Sequence, residues 1–385
     1  MAGTLSVRRM EAHSAGNVLI AAGGTGGHIF PAQTLAHCLL GQGFQPTLVT
    51  DRRGIELGCG RTGLPCHTLY SSSFSNPGLM NVALAGMRLS VGVVQAWFLI
   101  RRLGPVAVVG FGGHASLPLM LVAVWMKLPT VIHEANAVLG RANRLLAPKV
   151  SAIATSFDNT RGLAGVHRVK VVRTGVPVRT DIVSIRGLVT RPLRLDSKIQ
   201  LLVIGGSQGS RVLSEVVPAA LAQMPSYLKT RLVVVHQCRE IDRDKVATAF
   251  EIGGINASVS PFIKDMAAAL GAAHLVISRS GASIVAELAA AGRPALLIPF
   301  PHATDDHQTA NARVLVDAGG AWMMHESDFK VPKLKTWLVD LLRDPQVLLA
   351  AGHKARAIGE PDAASNLAEV TSRLVSKHGI GQAFG

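Results

Sequence analysis

Short, uninterrupted apolar segments alternate with glycine-rich turns along the chain. Residues 17–22, 106–109, 200–204 and 274–278 are such segments, and each is followed by a turn containing glycine and then by apolar residues at helical spacing. An apolar run of this length is typical of a strand in a parallel sheet that is covered on both faces. The repeated order of strand, turn and helix therefore predicts an α/β fold.

Four further buried strands are predicted at residues 47–50, 129–133, 231–236 and 295–299. Prolines and arginines interrupt the pattern between residues 174 and 197. A chain of 385 residues is also too long for one hydrophobic core. We therefore predict two parallel-sheet α/β domains, residues 1–178 and 179–355, and a C-terminal segment, residues 356–385, that forms a helix.

One stretch, residues 103–126, contains no charged side chain and is long enough to span a bilayer. Its middle, residues 110–114 (GFGGH), would break a spanning helix and expose backbone polar groups to lipid. A buried strand, a glycine turn and a helix over residues 117–126 satisfy those groups. We therefore predict that this stretch does not cross a membrane.

The charge is unevenly distributed between the two halves. Residues 1–178 carry 16 Lys and Arg against 5 Asp and Glu, whereas the rest of the chain carries 23 against 19. This basic first half attracts phosphate groups, whether in nucleic acid, in anionic lipid or in a diphosphate substrate. An aromatic content of 4% and the lack of a recognised binding motif weigh against nucleic acid.

The four cysteines (Cys38, Cys59, Cys66 and Cys238) show no Cys-x-x-Cys pair and no histidine at zinc-finger spacing. Their spacing predicts neither a zinc site nor a disulfide framework, and it favours a reducing compartment. Residues 8–11 (RRME) are not followed by an apolar run, so we predict no signal peptide and a cytoplasmic protein.

Each glycine-rich turn ahead of a helix offers backbone N–H groups and the positive end of the helix dipole to a phosphate. Dinucleotide-dependent oxidoreductases use a G-x-G-x-x-G turn and an acidic residue after the second strand. Asp51 fits that acidic position, but residues 23–28 lack the third glycine. No G-K-[ST] follows any turn, which excludes a P-loop. Several turns in two halves instead predict a nucleotide and a second phosphorylated substrate in one cleft.

Seven sequence blocks follow one another along the chain: GGTGGH at 23–28, FGGHAS at 111–116, HEANAVLGRAN at 133–143, GGSQGS at 205–210, FIKDM at 262–266, SRSGASIVAE at 278–287 and PFPHATDDHQTANA at 299–312. Together and in this order, they resemble the MurG family of bacterial glycosyltransferases. The combination is far more specific than any one block, and it covers both predicted domains.

The resemblance implies a GT-B fold, in which two Rossmann-like domains face a cleft. The second domain would bind UDP-N-acetylglucosamine (UDP-GlcNAc), and the first would bind lipid I, the undecaprenyl-diphospho-muramoylpentapeptide acceptor. The acceptor's 4-hydroxyl would displace UDP with inversion, which gives lipid II in peptidoglycan synthesis. The C-terminal helix of this fold commonly crosses back to the first domain.

The same resemblance implies a peripheral protein on the cytoplasmic face of the inner membrane, with other cell-wall synthesis proteins as expected partners. No cofactor and no protein-built metal site are expected, although Mg²⁺ could accompany the diphosphate. Asp305 and Asp306 are adjacent carboxylates on a predicted loop, and such pairs are usually solvated.

His28 stands at a helix N-terminus, where the dipole disfavours the imidazolium ion and keeps a neutral ring able to take a proton. It is therefore our candidate general base, and the alternative is that it only orients a diphosphate or caps the helix. Glu134 is a second acid/base candidate, or else it anchors its own loop. By resemblance, the UDP-GlcNAc contacts are Thr25, Gly26, Gly27, His28, Asn136, Arg179, Ser207, Ile263, Ala282, Ser283, Glu287 and Gln308, and the acceptor contacts are Thr25, Gly113 and His114.

Four of these contacts have specific roles by resemblance. Glu287 matches the residue that binds the ribose hydroxyls, and Ile263 the main-chain contact to uracil. Arg179 matches the arginine that stabilises charge developing on UDP, and Gln308 the amide that binds the GlcNAc hydroxyls. A solvated helix glutamate and an ordinary linker arginine are the alternatives for Glu287 and Arg179.

Three positions depart from the family pattern. His114 stands where the family usually has tyrosine, Val176 where asparagine is common, and His307 where a second glutamine is frequent. The first departure leaves the acceptor-side role of residue 114 open, and the second leaves the geometry around Arg179 open.

An apolar stripe precedes the uncharged stretch: Leu79, Met80, Leu84, Met87, Val91 and Val94 recur at near-helical spacing, with Arg88, Arg101 and Arg102 beside them. This stripe could seat the first domain on anionic lipid. A core-facing helix is the equal alternative. For the function, the alternatives are a GT-B transferase with another acceptor, a dinucleotide-dependent oxidoreductase and a nucleic-acid-binding protein.

Overall fold

The structure is a computed structural model that describes residues 15–56, 63–71, 79–163, 169–188, 197–206 and 209–383. The predictions made for residues 8–11 and for Ser207 lie outside these residues. The bounds of the strands and helices follow in chain order, sheet by sheet.

The first sheet contains β1 (Asn17–Ala21), β2 (Gln45–Thr50), β3 (Cys66–Thr68), β4 (Ala107–Gly110), β5 (Thr130–Glu134), β6 (Ala152–Thr155) and β7 (Val171–Arg173). The helices in this part of the chain are α1 (Gly26–Gly41), α2 (Arg52–Glu56), α3 (Leu79–Leu103), α4 (Leu117–Trp125) and α5 (Arg141–Leu146). The seven strands are parallel and lie in the order β3-β2-β1-β4-β5-β6-β7.

The second sheet contains β8 (Ile199–Ile204), β9 (Leu232–Gln237), β10 (Asn256–Ser260), β11 (Leu275–Ser278), β12 (Ala295–Leu297) and β13 (Ala321–Met323). The remaining helices are α6 (Thr180–Ser184), α7 (Arg211–Ala222), α8 (Ser226–Lys229), α9 (Arg243–Ile252), α10 (Met266–Ala272), α11 (Ala282–Ala291), α12 (His307–Asp317), α13 (Val331–Arg343), α14 (Pro345–Ala357) and α15 (Ala363–Ala383). These six strands are also parallel, in the order β10-β9-β8-β11-β12-β13.

Both sheets are covered on two faces, as continuous apolar strands require. In β1, Val18 and Ile20 pack into the core on one face, and Leu19 and Ala21 pack into the core on the other. All four side chains are fully buried. The predicted α/β class, with two parallel sheets, is therefore confirmed.

The strand order places the glycine-rich turns next to one another. In each sheet the first strand along the chain lies between the second and the fourth. The strand order therefore reverses beside β1 in the first sheet and beside β8 in the second. Ligands of open parallel sheets bind at this point, outside the carboxyl ends of the strands. Ala21 pairs with Gly110 at the end of β1 and β4, so the two turns that follow are neighbours.

The uncharged stretch at residues 103–126 forms β4, a glycine turn and α4, as predicted. No helix in the described part of the chain is long and apolar enough to cross a membrane. Cys38 and Cys238 are free, whereas Cys66 is disulfide-bonded. The sequence indicated no disulfide framework and did not predict the bond at Cys66, because cysteine spacing along the chain does not report distance in space.

The last helix, α15, packs on the first domain. Its residues Leu367 and Ala368 belong to the core beneath α1. Ser372 Oγ donates a hydrogen bond of 2.9 Å to Gln42 Oε1, just beyond α1. The chain therefore returns to its first sheet after completing the second.

Candidate active site

The first glycine-rich turn places His28 in the first turn of α1. Thr25 is the N-cap residue, and its Oγ1 lies 3.0 Å from His28 Nδ1. Burial and, to a smaller extent, the nearby His114 lower the pKa of His28 to about 4, although Asp51 opposes the shift. The ring is therefore neutral at pH 7. If Nδ1–H donates to the Thr25 hydroxyl, Nε2 is left to accept a proton.

The second glycine turn, after β4, packs directly against the first. Gly112 and Gly113 have positive φ values of 77° and 75°, which favour glycine. A Cβ at Gly113 would lie 3.2 Å from Gly23 Cα, and a Cβ at Gly23 would lie 2.9 Å from His28 Nδ1. These glycines therefore allow two backbone turns and the His28 ring to meet closely.

His114 is held beside this contact by Arg53. Arg53 Nη2 lies 3.1 Å from His114 Nε2 and 3.0 Å from Asp51 Oδ2. Burial and the Arg53 charge lower the pKa of His114. The other oxygen of Asp51 accepts a hydrogen bond from Gly54 N. Both carboxylate oxygens are thus used locally, which does not support the ribose-binding role that a dinucleotide enzyme gives this position.

The Glu134 carboxylate is almost completely enclosed by its own loop. Oε1 accepts hydrogen bonds of 3.0 Å from both the backbone and the side-chain nitrogen of Asn136. Oε2 accepts bonds from Gly140 N at 2.8 Å and from Asn143 Nδ2 at 2.9 Å. Four hydrogen-bond donors to one carboxylate support a role for Glu134 as the anchor of its loop over a role as an acid or base.

In the second domain, α11 begins after a turn whose N-cap residue is Gly281. Ser283 Oγ donates a hydrogen bond of 3.1 Å to the carbonyl oxygen of Gly27, in the first turn of α1. Ala282 is buried at the same junction. Two helix N-termini, with their free N–H groups and positive dipole ends, therefore meet between the domains.

Arg179 and Glu287 form an ion pair at this junction. Arg179 Nη2 donates to Glu287 Oε1 at 3.3 Å, and its guanidinium lies over the Phe30 ring, 5.1 Å from the centroid. Burial raises the pKa of Glu287 to about 6, and Arg179 opposes this shift. Glu287 is 9% exposed, so it is not a solvated surface side chain. Phe30 belongs to α1, so this pair also contacts both domains.

The first turns of α12 supply two amides. Gln308 Oε1 accepts a hydrogen bond from Phe300 N, which fixes the side chain at the start of the helix. Asn311 is fully buried, and its Oδ1 accepts a bond of 2.8 Å from Ala137 N in the first domain. Asn311 Nδ2 donates to Asn136 Oδ1 at 3.1 Å.

The remaining predicted residues lie around these groups. Ile263 is buried in the turn ahead of α10, and Val176 is buried between the domains beside Ala282. His307 Nδ1 lies 2.8 Å from Thr304 O. Asp305 pairs with Arg144 of the first domain at 3.3 Å. Among the described residues, no group of three or more His, Cys, Asp and Glu side chains could hold a metal ion.

The structure thus brings predicted residues together in two separate sets. One set surrounds the facing helix N-termini: Thr25, Gly26, Gly27, His28, Arg179, Ala282, Ser283 and Glu287. The other joins Glu134 and Asn136. Sequence reasoning missed Phe30, Arg53 and Asn311 as parts of the site, although Asn311 stands inside the block at residues 299–312. Their packing partners are distant along the chain, which a pattern of spacings cannot report.

Comparisons with known proteins cover both domains. Residues 18–155 match the model of the glycosyltransferase family 28 N-terminal domain, and residues 200–367 match that of the C-terminal domain. The chain is 44% identical to the UDP-N-acetylglucosamine–N-acetylmuramyl-(pentapeptide) pyrophosphoryl-undecaprenol N-acetylglucosamine transferase of Paramagnetospirillum magneticum, over 93% of this chain and 96% of that protein. It is 46% identical to the protein of the same name from Rhodospirillum rubrum, over 92% and 91%.

Solved structures show the same architecture. The crystal structure of MurG from Acinetobacter baumannii superposes with a TM-score of 0.73 at 29% identity, over 93% of this chain and 99% of that chain. UDP-GlcNAc 2-epimerase from Neisseria meningitidis superposes with a TM-score of 0.63 at 12% identity, which shows a shared fold alone. The resemblance to the MurG family and the GT-B fold are therefore confirmed, and the chain belongs to glycosyltransferase family 28.

Proposed function

We propose that this glycosyltransferase moves N-acetylglucosamine from UDP-GlcNAc to the muramoyl 4-hydroxyl of lipid I, which yields lipid II. Relatives that match nearly the whole chain carry this activity in their names. In the structure itself, the proposal rests on the contact between the N-termini of α1 and α11. There, Ser283 Oγ donates a hydrogen bond to the carbonyl oxygen of Gly27. A site with two positive helix ends suits a reaction between two diphosphates, one in the donor and one in the acceptor.

The proposed reaction is a single displacement with inversion. The acceptor oxygen forms a bond to the anomeric carbon, the bond from that carbon to the UDP oxygen breaks, and UDP leaves with the electron pair. His28 takes the proton of the attacking hydroxyl at Nε2. Two nearby diphosphates would raise the pKa of the ring above its value of about 4, because negative charge favours the imidazolium ion.

The leaving group gains negative charge as the bond breaks. We assign its stabilisation to Arg179 and to the N-terminus of α11, because positive groups beside the leaving oxygen act where its negative charge develops. Glu287 would then accept the ribose hydroxyls. A Mg²⁺ ion accompanying the diphosphate would take its ligands from phosphate and water, and no step depends on it.

We further propose that the first domain rests on the cytoplasmic face of an anionic membrane. Leu84, Met87, Val91, Val94 and Phe98 form one face of α3, and all five are exposed. We call these residues the α3 apolar face. The opposite face of the helix packs into the core through Ala96 and Ile100. An exposed apolar face flanked by arginines supports membrane binding over the core-facing alternative.

A transfer assay tests the proposed reaction. Purified protein is incubated with radiolabelled UDP-GlcNAc and a lipid I analogue, and wild type is compared with His28→Ala and Glu287→Ala. We expect labelled disaccharide lipid from wild type, with a loss of about 100-fold or more in kcat for His28→Ala. The control is calorimetric binding of UDP, which His28→Ala should retain.

Each alternative has its own result. Wild type that binds UDP-GlcNAc but transfers nothing to the lipid I analogue would indicate another acceptor. Wild type that binds no UDP-GlcNAc would contradict the proposal altogether. Equal activity of His28→Ala and wild type would leave the reaction in place and remove His28 as its base.

A further inference from the structure

A buried amide joins the two domains beside the candidate active site. Asn311 of α12 contacts both the β5–α5 loop, residues 135–140 of the first domain, and the turn ahead of α11. We propose that Asn311 is a positioning residue that sets the arrangement of the domains in which donor and acceptor face each other. This inference rests on the proposed function for the identity of the two substrates.

The hydrogen bonds of Asn311 permit only one orientation of its amide. Its Oδ1 accepts from Ala137 N at 2.8 Å, and its Nδ2 donates to Asn136 Oδ1 at 3.1 Å and to Ser280 O at 3.2 Å. One acceptor faces an N–H group, and one donor nitrogen faces two oxygens. Aspartate has the same shape but would place oxygen against both oxygens. The side chain therefore discriminates by hydrogen-bond direction as well as by size.

The β5–α5 loop is rigid on its own side of the junction. Glu134 accepts hydrogen bonds from Asn136 at one end of the loop and from Gly140 at the other. Asn143 donates to the same carboxylate from α5. A displacement of Asn311 would therefore move the loop as a unit, and Asn136, a candidate UDP-GlcNAc contact, would move with it.

On the other side, Asn311 contacts the segment that begins the donor site. Ser280 immediately precedes Gly281, the N-cap residue of α11, and the Ser280 side chain is fully buried. The α11 helix carries both Ser283 and Glu287. One side chain therefore connects the loop that carries Asn136 with the helix that carries the proposed ribose contact.

Other polar contacts at this junction are more accessible to water. The bond from Ser283 to Gly27 is exposed, and the Arg144–Asp305 pair is half-exposed. Exposed pairs contribute little, because water replaces the lost partner. A buried group that loses its partner has no such replacement. Asn311 is therefore the polar contact here whose loss should change the domain arrangement most.

The test compares wild type with Asn311→Ala and Asn311→Asp in the full chain. Small-angle X-ray scattering, with and without UDP-GlcNAc, measures the domain arrangement, and steady-state transfer measures kcat and KM for each substrate. We expect both variants to have a larger radius of gyration and a kcat/KM for lipid I reduced about tenfold to a hundredfold. UDP affinity should stay within about threefold of wild type, and Asn311→Asp should be at least as impaired as Asn311→Ala.

Two control variants separate coupling from general damage. Arg313→Ala lies on the same helix, is exposed, and should match wild type in both measurements. Asn143→Ala disturbs Glu134 from within the first domain, so it should lower transfer without changing the radius of gyration. If Asn311→Ala lowers the melting temperature strongly, Asn311→Ser replaces it, with the same expected results.

The proposal would be overturned if Asn311→Ala and Asn311→Asp both had the radius of gyration and the transfer kinetics of wild type. Equal losses in UDP affinity and in transfer would also overturn it, because they would indicate a folding role only. If wild type transfers nothing, the proposed function fails, and the scattering comparison still decides whether Asn311 sets the domain arrangement.

Discussion

Arg179 Nη2 and Glu287 Oε1 form an ion pair at 3.3 Å, although the two residues match family positions that bind different parts of UDP. The two side chains are the cation proposed for the diphosphate and the carboxylate proposed for the ribose. A donor that engages both would separate them, so the pair is exchanged for two substrate contacts. The ion pair therefore holds both side chains at the site while limiting the cost of burying a charged glutamate.

Protonation of Glu287 should set the acid limb of the pH profile of kcat/KM for UDP-GlcNAc. Its pKa is raised to about 6 by burial, so the carboxylate becomes protonated as the pH falls through about 6. Protonation removes an acceptor for the ribose hydroxyls. We expect kcat/KM for UDP-GlcNAc to fall below pH 6, well above the pKa of His28 near 4. Glu287→Gln should be about 10-fold to 100-fold less active at pH 8 and should lack this limb down to about pH 5.

The matched control is Glu360→Gln, because Glu360 also pairs with an arginine, Arg173, but outside the facing helix N-termini. This variant should keep the limb near pH 6. A limb that persists unchanged in Glu287→Gln would show that another group titrates, and the ribose role would lose its support.

Phe30 should act through Arg179. The guanidinium lies 5.1 Å from the centroid of the Phe30 ring, a distance at which a cation and an aromatic face attract each other. Phe30→Leu keeps an apolar side chain but removes the ring. We expect kcat to fall about threefold to thirtyfold with a small change in UDP affinity, whereas Phe30→Tyr should restore most of kcat. Equal kcat in Phe30→Leu and wild type would exclude this role.

The sequence predicted the interior of each sheet better than its edges. The strands β1, β2, β4 and β5, and their counterparts β8, β9, β11 and β12, all overlap segments predicted as buried strands. The four edge strands, β3, β7, β10 and β13, were not predicted. Edge strands have one neighbour and a partly exposed surface, so their sequences lack the continuous apolar run on which the prediction depends. The inner strand β6 was also missed, because it is short and rich in alanine.

Candidate residues were predictable where a turn leads directly into a helix. His28 and Glu287 stand in the first two turns of α1 and α11, so local sequence fixes their place. The contacts of Asn311 and Phe30 could not be predicted, because each reaches a partner in the other domain or in the linker. The position of the domain boundary at residue 178 and the roles assigned to the two domains stay predictions.

Membrane binding should depend on the α3 apolar face. Met87, Val94 and Phe98 are 60%, 55% and 61% exposed. Replacing all three by serine should weaken binding to phosphatidylglycerol vesicles about tenfold or more, and added salt should weaken wild-type binding through the screened arginines.

The control for the vesicle experiment uses the second domain. Tyr227, Ile241 and Ile252 are equally exposed or more so, and serine at these three positions should leave vesicle binding unchanged. Salt-insensitive or absent binding of wild type would contradict the membrane proposal, as would equal losses in the two triple variants.

His236 should make the protein less stable in mild acid. It is fully buried on β9, its ring lies 5.7 Å from that of Phe250, and burial lowers its pKa to about 4. Because the unfolded chain binds a proton at pH values below about 6.5 and the folded chain does not, stability is full above pH 6.5 and falls as the pH drops toward 4. His236 alone should cost about 2 kcal/mol of unfolding free energy between pH 7.5 and 5.

Urea unfolding at the two pH values, followed by circular dichroism, measures this cost. In His236→Leu the difference between pH 7.5 and pH 5 should shrink by about 2 kcal/mol, because the group that protonates on unfolding is gone. His353→Leu, at an exposed position of the same part of the chain, should leave the difference as in wild type. If His236→Leu loses as much stability in acid as wild type does, His236 is protonated in the folded protein and its burial does not exclude the charge.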